Sequence, residues 1–311
     1  MSELLRERDF LVQVGYCAYQ LISNKISEIY IANGFADILR HLRMSESKTC
    51  DLSNFPAEVS LKVLKYLDAT DLSLASCVWS ELGSDGSVWE NLCKRTWKIP
   101  DSLYKNKPKS WKSLYLLLDE SCVQFNVEPE WGLKFLDEKE LLKRTDSRGI
   151  AQFINGTTRL HWNQVRSFLT LRKNTDVLEH LTGMMNFKDQ FLPTSLRKFF
   201  AMFHVPVLGD RQRMDTVLAI FSREFSTQNA QDSHVTFDGV SIIAYALVLL
   251  SVDQFALAGQ IRNKMSKREF IKNTLRALEN ADASCEKFTS EVGDYYDNVY
   301  LLGHIAPEKW D

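Results

Sequence analysis

Apolar residues recur three or four positions apart along most of the chain, which is the spacing of one face of an α-helix. In residues 51–97 this pattern is interrupted at residues 68–71, which offer new helix caps, and again at residues 84–86, which end the second helix. The spacing therefore predicts three short amphipathic helices. A segment of this length buries little surface by itself, so these helices are expected to dock on something larger.

Beyond residue 123 the pattern is almost wholly helical, and no pair of segments alternates as paired strands would. The longest apolar run, Val240–Leu250, is too short to span a bilayer and predicts a helix that is buried on all sides. The sequence thus predicts an all-α protein.

Two further segments complete the predicted organisation. Residues 1–48 have helical spacing and predict an N-terminal extension, which serves either as an interaction or dimerisation helix or as an appendage packed on the same chain. Residues 98–122 predict a lysine-rich loop followed by a docking helix. The lysines fit a solvated loop, or else a surface that attracts an acidic partner or lipid.

Charge and motifs exclude several classes of function. The 311 residues carry 38 basic and 40 acidic side chains, a net charge of −2, which favours neither nucleic acid nor a membrane surface as a partner. The six cysteines lack the close pairs of a zinc site, and no phosphate loop, metal motif or dinucleotide turn is present. We expect no cofactor and no metal. The mixed charges at the N-terminus predict no signal peptide, and therefore a cytoplasmic protein.

The short helices carry several motif elements in a fixed order. They are Phe55-Pro56-Ala57-Glu58, Tyr66-Leu67-Asp68, Trp79 and Val88-Trp89-x-x-Leu92-Cys93. Residues 51–97 resemble the F-box in this respect, and the resemblance implies binding to the Skp adaptor of a cullin-RING ubiquitin ligase. The apolar residues that would contact the adaptor are Leu52, Phe55, Pro56, Val59, Val63, Leu64 and Leu67. The alternative is that these apolar faces serve internal packing alone.

Residues 123–305 carry a second ordered set of motifs. The strings include Phe125-Asn126-Val-x-Pro129-x-x-Gly132, Phe187-x-x-x-Phe191-Leu192-x-x-x-Leu196-Arg197-x-Phe199, Lys264-Met265-Ser-x-x-x-Phe270-Ile271-x-Asn273 and Tyr296-Asp297-Asn298-Val299. In this order they resemble the Sec-seven domain, the helical fold of guanine-nucleotide exchange factors for Arf-family GTPases. With the F-box in front, the chain resembles the F-box only protein eight family, except in residues 1–48.

The resemblance raises the question of exchange chemistry, because Arf exchange factors insert a glutamate toward the β-phosphate and magnesium of the bound nucleotide. The comparable stretch, residues 203–213, contains no glutamate, and Asp210 is its only acid. Arg211 and Arg213 follow it and would attract phosphate. The sequence therefore predicts a domain without a catalytic residue. The alternative is an active exchange factor that uses Asp210.

The resemblance also implies a hydrophobic groove that grips the GTPase. The family motif Asn-Thr-Asp-Leu-His corresponds to residues 251–255 here, and only Asp253 matches it. The groove residues predicted on this basis are Phe203, Pro206, Asp210, Tyr245, Leu249 and Asp253. The groove either still binds a GTPase or has become a scaffold of another specificity.

These expectations combine into one predicted function. The chain would be a non-catalytic substrate-recognition subunit of a Skp–cullin–F-box ubiquitin ligase, with the Sec-seven-like domain binding an Arf-family GTPase or another substrate. Its partners would be the Skp adaptor, through it the cullin-RING ligase, and an Arf-family GTPase, which would also provide peripheral membrane contact. The alternative function is that of an active Arf exchange factor.

Overall fold

The computed structural model describes residues 52, 55–98, 110–202, 211–230, 235–256, 264–283 and 286–305. Within these residues the fold is helical without strands, and an isolated bridge joins Trp97 to Thr157. The predicted all-α class is therefore confirmed. The predicted N-terminal helix in residues 1–48 lies outside the described residues, and the division of the chain into four segments stays a prediction.

The chain separates into two compact units. Unit 1 comprises Met1–Ser121 with Thr157–Arg159, and unit 2 comprises Cys122–Gly156 with Leu160–Asp311. The described helices of unit 1 are α1 (Ala57–Leu64), α2 (Ala69–Val78), α3 (Ser80–Gly83), α4 (Gly86–Thr96) and the first part of α5 (Trp111–Val127).

Two aspartates cap short helices of unit 1, and Asp68 lies in the segment that the sequence predicts to supply caps. The Asp68 carboxylate accepts a hydrogen bond from the backbone N–H of Asp71 at 2.9 Å, and that of Asp85 accepts one from Ser87 at 2.8 Å. Each bond satisfies an amide that the first helical turn leaves without a partner. The Ser87 hydroxyl donates to the same carboxylate at 2.6 Å, and this bond lowers the pKa of Asp85.

The second predicted helix is broken into α2 and α3. Trp79 leaves the helical conformation, with φ −119° and ψ 74°. The break lets Gly83 approach α2 so closely that a Cβ there would lie 2.6 Å from the Ser76 backbone. The Ser76 hydroxyl donates to the Gly83 carbonyl at 2.7 Å. The apolar period continues across this corner, which is why spacing alone predicts one helix.

Aromatic residues fill the core of unit 1. The Trp89 side chain is fully buried, and its indole N–H donates to the Gly83 carbonyl at 2.8 Å. The Trp89 and Trp97 rings both meet the Tyr115 ring edge-on, at centroid distances of 5.6 and 4.7 Å. The Val-Trp-x-x-Leu-Cys string of the sequence is thus a packing element of unit 1.

Residues 157–159 complete unit 1 from a distant part of the sequence. Thr157 forms the bridge to Trp97. The Arg159 guanidinium donates to the Tyr115 hydroxyl at 2.7 Å. These contacts attach a later segment of the chain to the aromatic core of the short helices.

Unit 2 contains the remaining described helices. They are α6 (Pro129–Glu138), α7 (Ser147–Gly156), α8 (Trp162–Thr170), α9 (Thr175–Gly183), α10 (Leu192–Phe200), α11 (Arg211–Gln228), α12 (Phe237–Ser251), α13 (Lys267–Asn280) and α14 (Glu286–Leu302), with a 3₁₀ turn at Arg172–Asn174 and a π-helical turn at Val252–Ala256. Helix α12 is central, since α10, α11, α13 and α14 all pack against it.

Helix α12 and its π-helical extension differ from the predicted helix in one respect. Phe237–Phe255 is long and apolar enough, by length and composition, to cross a membrane, and half of its most apolar window is buried within the chain. The expectation of burial on all sides is wrong, because Leu249 is 50% exposed and Tyr245 is half-buried. The apolar surplus of α12 lines a groove.

Two motif strings of unit 2 meet through one side chain. The Arg197 guanidinium on α10 donates to the side chain of Asn298 on α14, and to the carbonyls of Gly303 and His304 at 2.9 and 3.3 Å. Arg197 thereby holds the two residues that follow α14 through their carbonyls. This contact fixes α14 on α10, and α14 in turn packs against α12.

Candidate functional site: an apolar groove in unit 2

Helix α12 forms one wall of an open groove of 680 Å³. Ile242, Tyr245, Ala246 and Leu249 lie three or four positions apart, so they share one side of the helix and line the groove together. Phe237, 41% exposed, lines it from the first position of the helix. The groove is therefore built on the side of α12 that the rest of unit 2 leaves open.

The facing walls come from α11, from α13 and from the residue that precedes α13 by two positions. Their lining side chains are Asp215, Leu218, Ala219, Met265, Phe270, Asn273, Thr274 and Ala277. Most of this surface is apolar, as in clefts that bind apolar segments or ligands.

Few polar groups face this apolar surface. The Asp215 carboxylate is exposed, and it is the acid among the lining side chains. The Ser241 hydroxyl also lines the groove and has no hydrogen-bond partner among the described residues. An occupant would therefore bind mainly by apolar contact, with a cation opposite Asp215. Within the described ranges, no group of three or more His, Cys, Asp or Glu could hold a metal ion.

The predicted groove residues divide into three groups. Tyr245 and Leu249 line the groove. Asp253 is absent from its lining, because its carboxylate accepts the backbone N–H of Met265 at 2.7 Å. Phe203, Pro206 and Asp210 lie outside the described residues.

The expected attraction of Arg213 for phosphate is contradicted. Its side chain is only 6% exposed, and the guanidinium donates to the Thr175 hydroxyl at 2.6 Å and to the Leu169 carbonyl at 3.0 Å. Arg213 therefore joins α11 to α8 and α9. Arg211, at the first position of α11, is exposed.

Sequence reasoning missed Asp215 and Met265 as groove residues. Asp215 lies three and four positions before the lining residues Leu218 and Ala219, so helical spacing placed it on the same side of α11. Met265 belongs to one of the motif strings quoted above, which pointed to this part of the chain without assigning it to the groove.

Most of the predicted adaptor contacts on the short helices of unit 1 are buried within the chain. Five of the seven predicted adaptor contacts are buried in the chain, namely Leu52 (0% exposed), Phe55 (8%), Val63 (1%), Leu64 (0%) and Leu67 (1%). Pro56 is exposed and Val59 is half-buried. Tyr66, which was not among the predicted contacts, is 47% exposed just after α1. Direct contact through the buried five would require this core to open.

Cys93 in the core of unit 1 has no features of a reactive thiol. Burial, reinforced by the charge of Glu90, raises the pKa of Cys93 to about 12. The thiolate is the reactive form of cysteine, so Cys93 stays protonated and unreactive at neutral pH. Its role is packing.

Comparison with known proteins agrees with this geometry. The sequence model of the Sec7 domain family matches residues 115–299. F-box only protein 8 of Mus musculus is 40% identical over 284 residues, which cover 88% of this chain and 85% of that protein. The ADP-ribosylation factor guanine nucleotide-exchange factor sec72 of Schizosaccharomyces pombe is 28% identical over 189 residues, 60% of this chain and 10% of that protein.

A solved structure supports the fold alone. A chimeric protein with the Sec7 domain of Rickettsia prowazekii RalF and the capping domain of Legionella pneumophila RalF matches with a TM-score of 0.50 at 21% identity, over 60% of this chain and 52% of that one. The helical fold and its open groove thus define a Sec7-domain protein, with a domain like that of Arf exchange factors. The chain belongs to the F-box only protein 8 family, since its likeness to that protein extends over most of both chains.

Proposed function

We propose that the chain is the substrate-recognition subunit of a Skp–cullin–F-box ubiquitin ligase. Its short helices bind the Skp adaptor, and its Sec7 domain binds an Arf-family GTPase without releasing the nucleotide. The names of its relatives support both halves of the proposal, since one is an F-box only protein and another acts on ADP-ribosylation factor. The protein works in the cytoplasm and meets membranes through its GTPase partner.

The observation that carries the proposal is the open groove of unit 2. A soluble domain ordinarily covers a continuous apolar helix side, so an uncovered one marks a binding surface. The lining residues of α12 recur three or four positions apart, which suits an apolar protein segment lying along the helix. Asp215 gives this surface one carboxylate, which selects a segment that carries a cation beside its apolar side chains.

Binding without exchange is supported by the stretch before α11. Residues 203–213 lack the glutamate that Arf exchange factors use, and Asp210 has a shorter side chain at a later position. The second candidate is an active exchange factor that uses Asp210, and the similarity to sec72 favours it.

One experiment separates the two candidates. Purified full-length chain is incubated with the Skp adaptor and with Arf-family GTPases that carry fluorescent GDP or a GTP analogue, and capture and nucleotide release are measured in the same samples. The proposal expects capture of the adaptor and of a GTPase, with release at the spontaneous rate. Release that Asp210→Ala abolishes would establish the exchange factor instead.

A groove variant shows whether capture uses the proposed surface. Leu249→Asp places a charge on the exposed part of the groove, and Val127→Asp places one at a similarly exposed apolar position of α5 that does not line it. Loss of capture with the first variant alone supports the groove. Equal capture by both variants would place the GTPase elsewhere on the chain.

A further inference from the structure

Three side chains hold the backbone of Met265 at one end of the groove. The Asp253 carboxylate accepts the Met265 N–H at 2.7 Å. The Gln254 amide and the Tyr296 hydroxyl both donate to the Met265 carbonyl, each at 3.1 Å. We call these three residues the Met265 clasp. Both hydrogen-bonding groups of one peptide residue are thereby occupied.

The clasp depends on an unusual piece of backbone. Asp253 and Gln254 belong to the π-helical turn Val252–Ala256 that extends α12, and such turns are rare and often mark functional sites. A cross-link supports the turn, since the Lys264 ammonium donates to the Gln254 carbonyl at 2.7 Å. Asp253 and Gln254 of the π-helical turn are thus hydrogen-bonded to Lys264 and Met265, which precede α13.

Met265 itself lines the groove, whereas Asp253 does not. A methionine side chain has three rotatable bonds and adapts to whatever it packs against. The Met265 side chain is therefore positioned in the groove by its backbone, and the Met265 clasp fixes that backbone. Fixing a groove residue before binding reduces the ordering cost that an occupant must otherwise overcome.

We propose that Asp253 is a positioning residue, which strengthens binding of the groove's occupant by fixing Met265 and does not contact the occupant itself. The inference rests on the proposed function in that the occupant is taken to be an Arf-family GTPase. The proposal gives Asp253 a role within the chain. The sequence motif, by contrast, predicts that Asp253 contacts the GTPase directly.

A double-mutant cycle in the full-length chain tests the proposal. The affinity for the captured GTPase is measured by calorimetry for the wild type and for Asp253→Ala, Met265→Ala and the double variant. Asp253→Ala is expected to weaken binding about tenfold, because the Met265 N–H loses its partner and the residue its fixed position. The double variant is expected to bind no more weakly than Met265→Ala, since Asp253 acts through Met265.

Conservative variants distinguish positioning from direct contact. Asp253→Asn keeps an oxygen that accepts the Met265 N–H, so it recovers most of the affinity. Tyr296→Phe removes one of the two donors to the carbonyl and weakens binding less than Asp253→Ala. Asp297→Asn is the matched control, because Asp297 pairs with Lys267 at 2.6 Å at the same end of α14 and is not part of the clasp. Loss of affinity in Asp253→Asn, or additive losses in the cycle, would show direct contact and overturn the proposal.

A readout without any partner separates this inference from the proposed function. The ε-methyl group of Met265 is observed by NMR in chain labelled at methionine methyls. Asp253→Ala should shift or broaden this signal relative to the wild type, whereas Asp253→Asn should not. Such a change supports positioning even if the chain captures no GTPase. An unchanged Met265 signal in a folded Asp253→Ala variant, judged by circular dichroism, would refute the inference whatever the chain binds.

Discussion

The two units use their apolar side chains in opposite ways. In unit 1 the described helices direct leucine, valine and tryptophan side chains into a core, and Tyr66 and Leu116 are large apolar residues exposed in the described part of the unit. In unit 2 the central helix α12 keeps one apolar side uncovered, with Leu249 half exposed. The described part of unit 1 therefore keeps most of its apolar side chains inside. Unit 2 offers a partner a continuous apolar surface.

Substitutions should therefore have different effects in the two units. Folded domains are only marginally stable, so the loss of one large core side chain removes a sizeable share of their stability. An exposed groove residue contributes little to folding and much to binding, because its apolar area is buried only when the partner arrives. Substitutions in unit 1 should thus affect folding first, and those in the groove should affect binding alone.

The largest effect is expected from Trp89→Ala in the core of unit 1. Loss of a fully buried tryptophan costs about 3–5 kcal/mol of unfolding free energy. Hydrogen exchange should show lost protection of α1, α2 and α4, with protection of α12 retained. Trp131→Ala is the matched control, because Trp131 is 57% exposed and its loss should change stability by about 0.5 kcal/mol or less. Similar losses in both variants would contradict the contrast between the units.

The next largest effect is expected in the groove. Leu249→Asp should weaken GTPase binding about thirtyfold or more, the loss typical of a central interface residue, because a charge replaces an apolar contact. The melting temperature should stay within a few degrees of the wild type, since the position is half exposed. Calorimetric titration and thermal unfolding measure the two quantities. A large fall in melting temperature would mean that this part of α12 belongs to the core.

A smaller effect is expected at the surface of unit 1. Tyr66→Asp should weaken binding of the Skp adaptor about tenfold without unfolding the short helices. Leu116→Asp, on α5 at a position that is 52% exposed, provides a control within the same unit. Surface plasmon resonance with immobilised adaptor compares the two variants. Unchanged binding by the Tyr66 variant would move the adaptor contact away from α1.

The smallest effect concerns pH and one surface network of unit 2. Hydrogen bonds from Lys173 at 2.6 Å and Arg144 at 2.9 Å hold the pKa of Glu130 below its ordinary value. A lowered folded-state pKa contributes stability above the unfolded pKa, and that contribution is lost as pH falls through the folded pKa. Because the network is largely exposed, the contribution should be about 1 kcal/mol or less.

Glu130→Gln should therefore lower stability at neutral pH and flatten its decline in acid. Urea unfolding at about pH 7 and about pH 3.5, on either side of the ordinary glutamate pKa, measures the change. Glu138→Gln serves as the control, since its partner Lys134 is 3.6 Å away and both side chains are more than half exposed. An equal response of the two variants would remove any special role for Glu130.

The sequence predicted local features well because they depend on neighbouring residues. The cap at Asp68 lies in the segment where the pattern of polar residues predicts new caps. Helical spacing also found Tyr245 and Leu249, which share one side of α12. The spacing did not predict the break at Trp79, because the apolar period continues through it although the backbone leaves the helical conformation.

Tertiary contacts add what the spacing of residues along the chain does not show. Periodicity shows that Val63 and Leu64 are on an apolar face, but it does not say whether the chain or a partner covers that face. The sequence indicates that Arg213 is an exposed cation, because its contacts with α8 and α9 come from residues about 40 positions away. The motif predicts that Asp253 contacts a GTPase, whereas in the structure its carboxylate accepts a hydrogen bond from Met265, 12 positions later in the sequence.

The attachment of residues 157–159 to unit 1 has a consequence for how the protein is made. During synthesis the short helices emerge first, yet Thr157 and Arg159 reach Trp97 and Tyr115 only after α5, α6 and α7 have left the ribosome. Until then, the aromatic core of the nascent N-terminal unit lacks the contacts from Thr157 and Arg159. A ribosome stalled before residue 157 should display a segment that proteases cleave more readily than the completed chain.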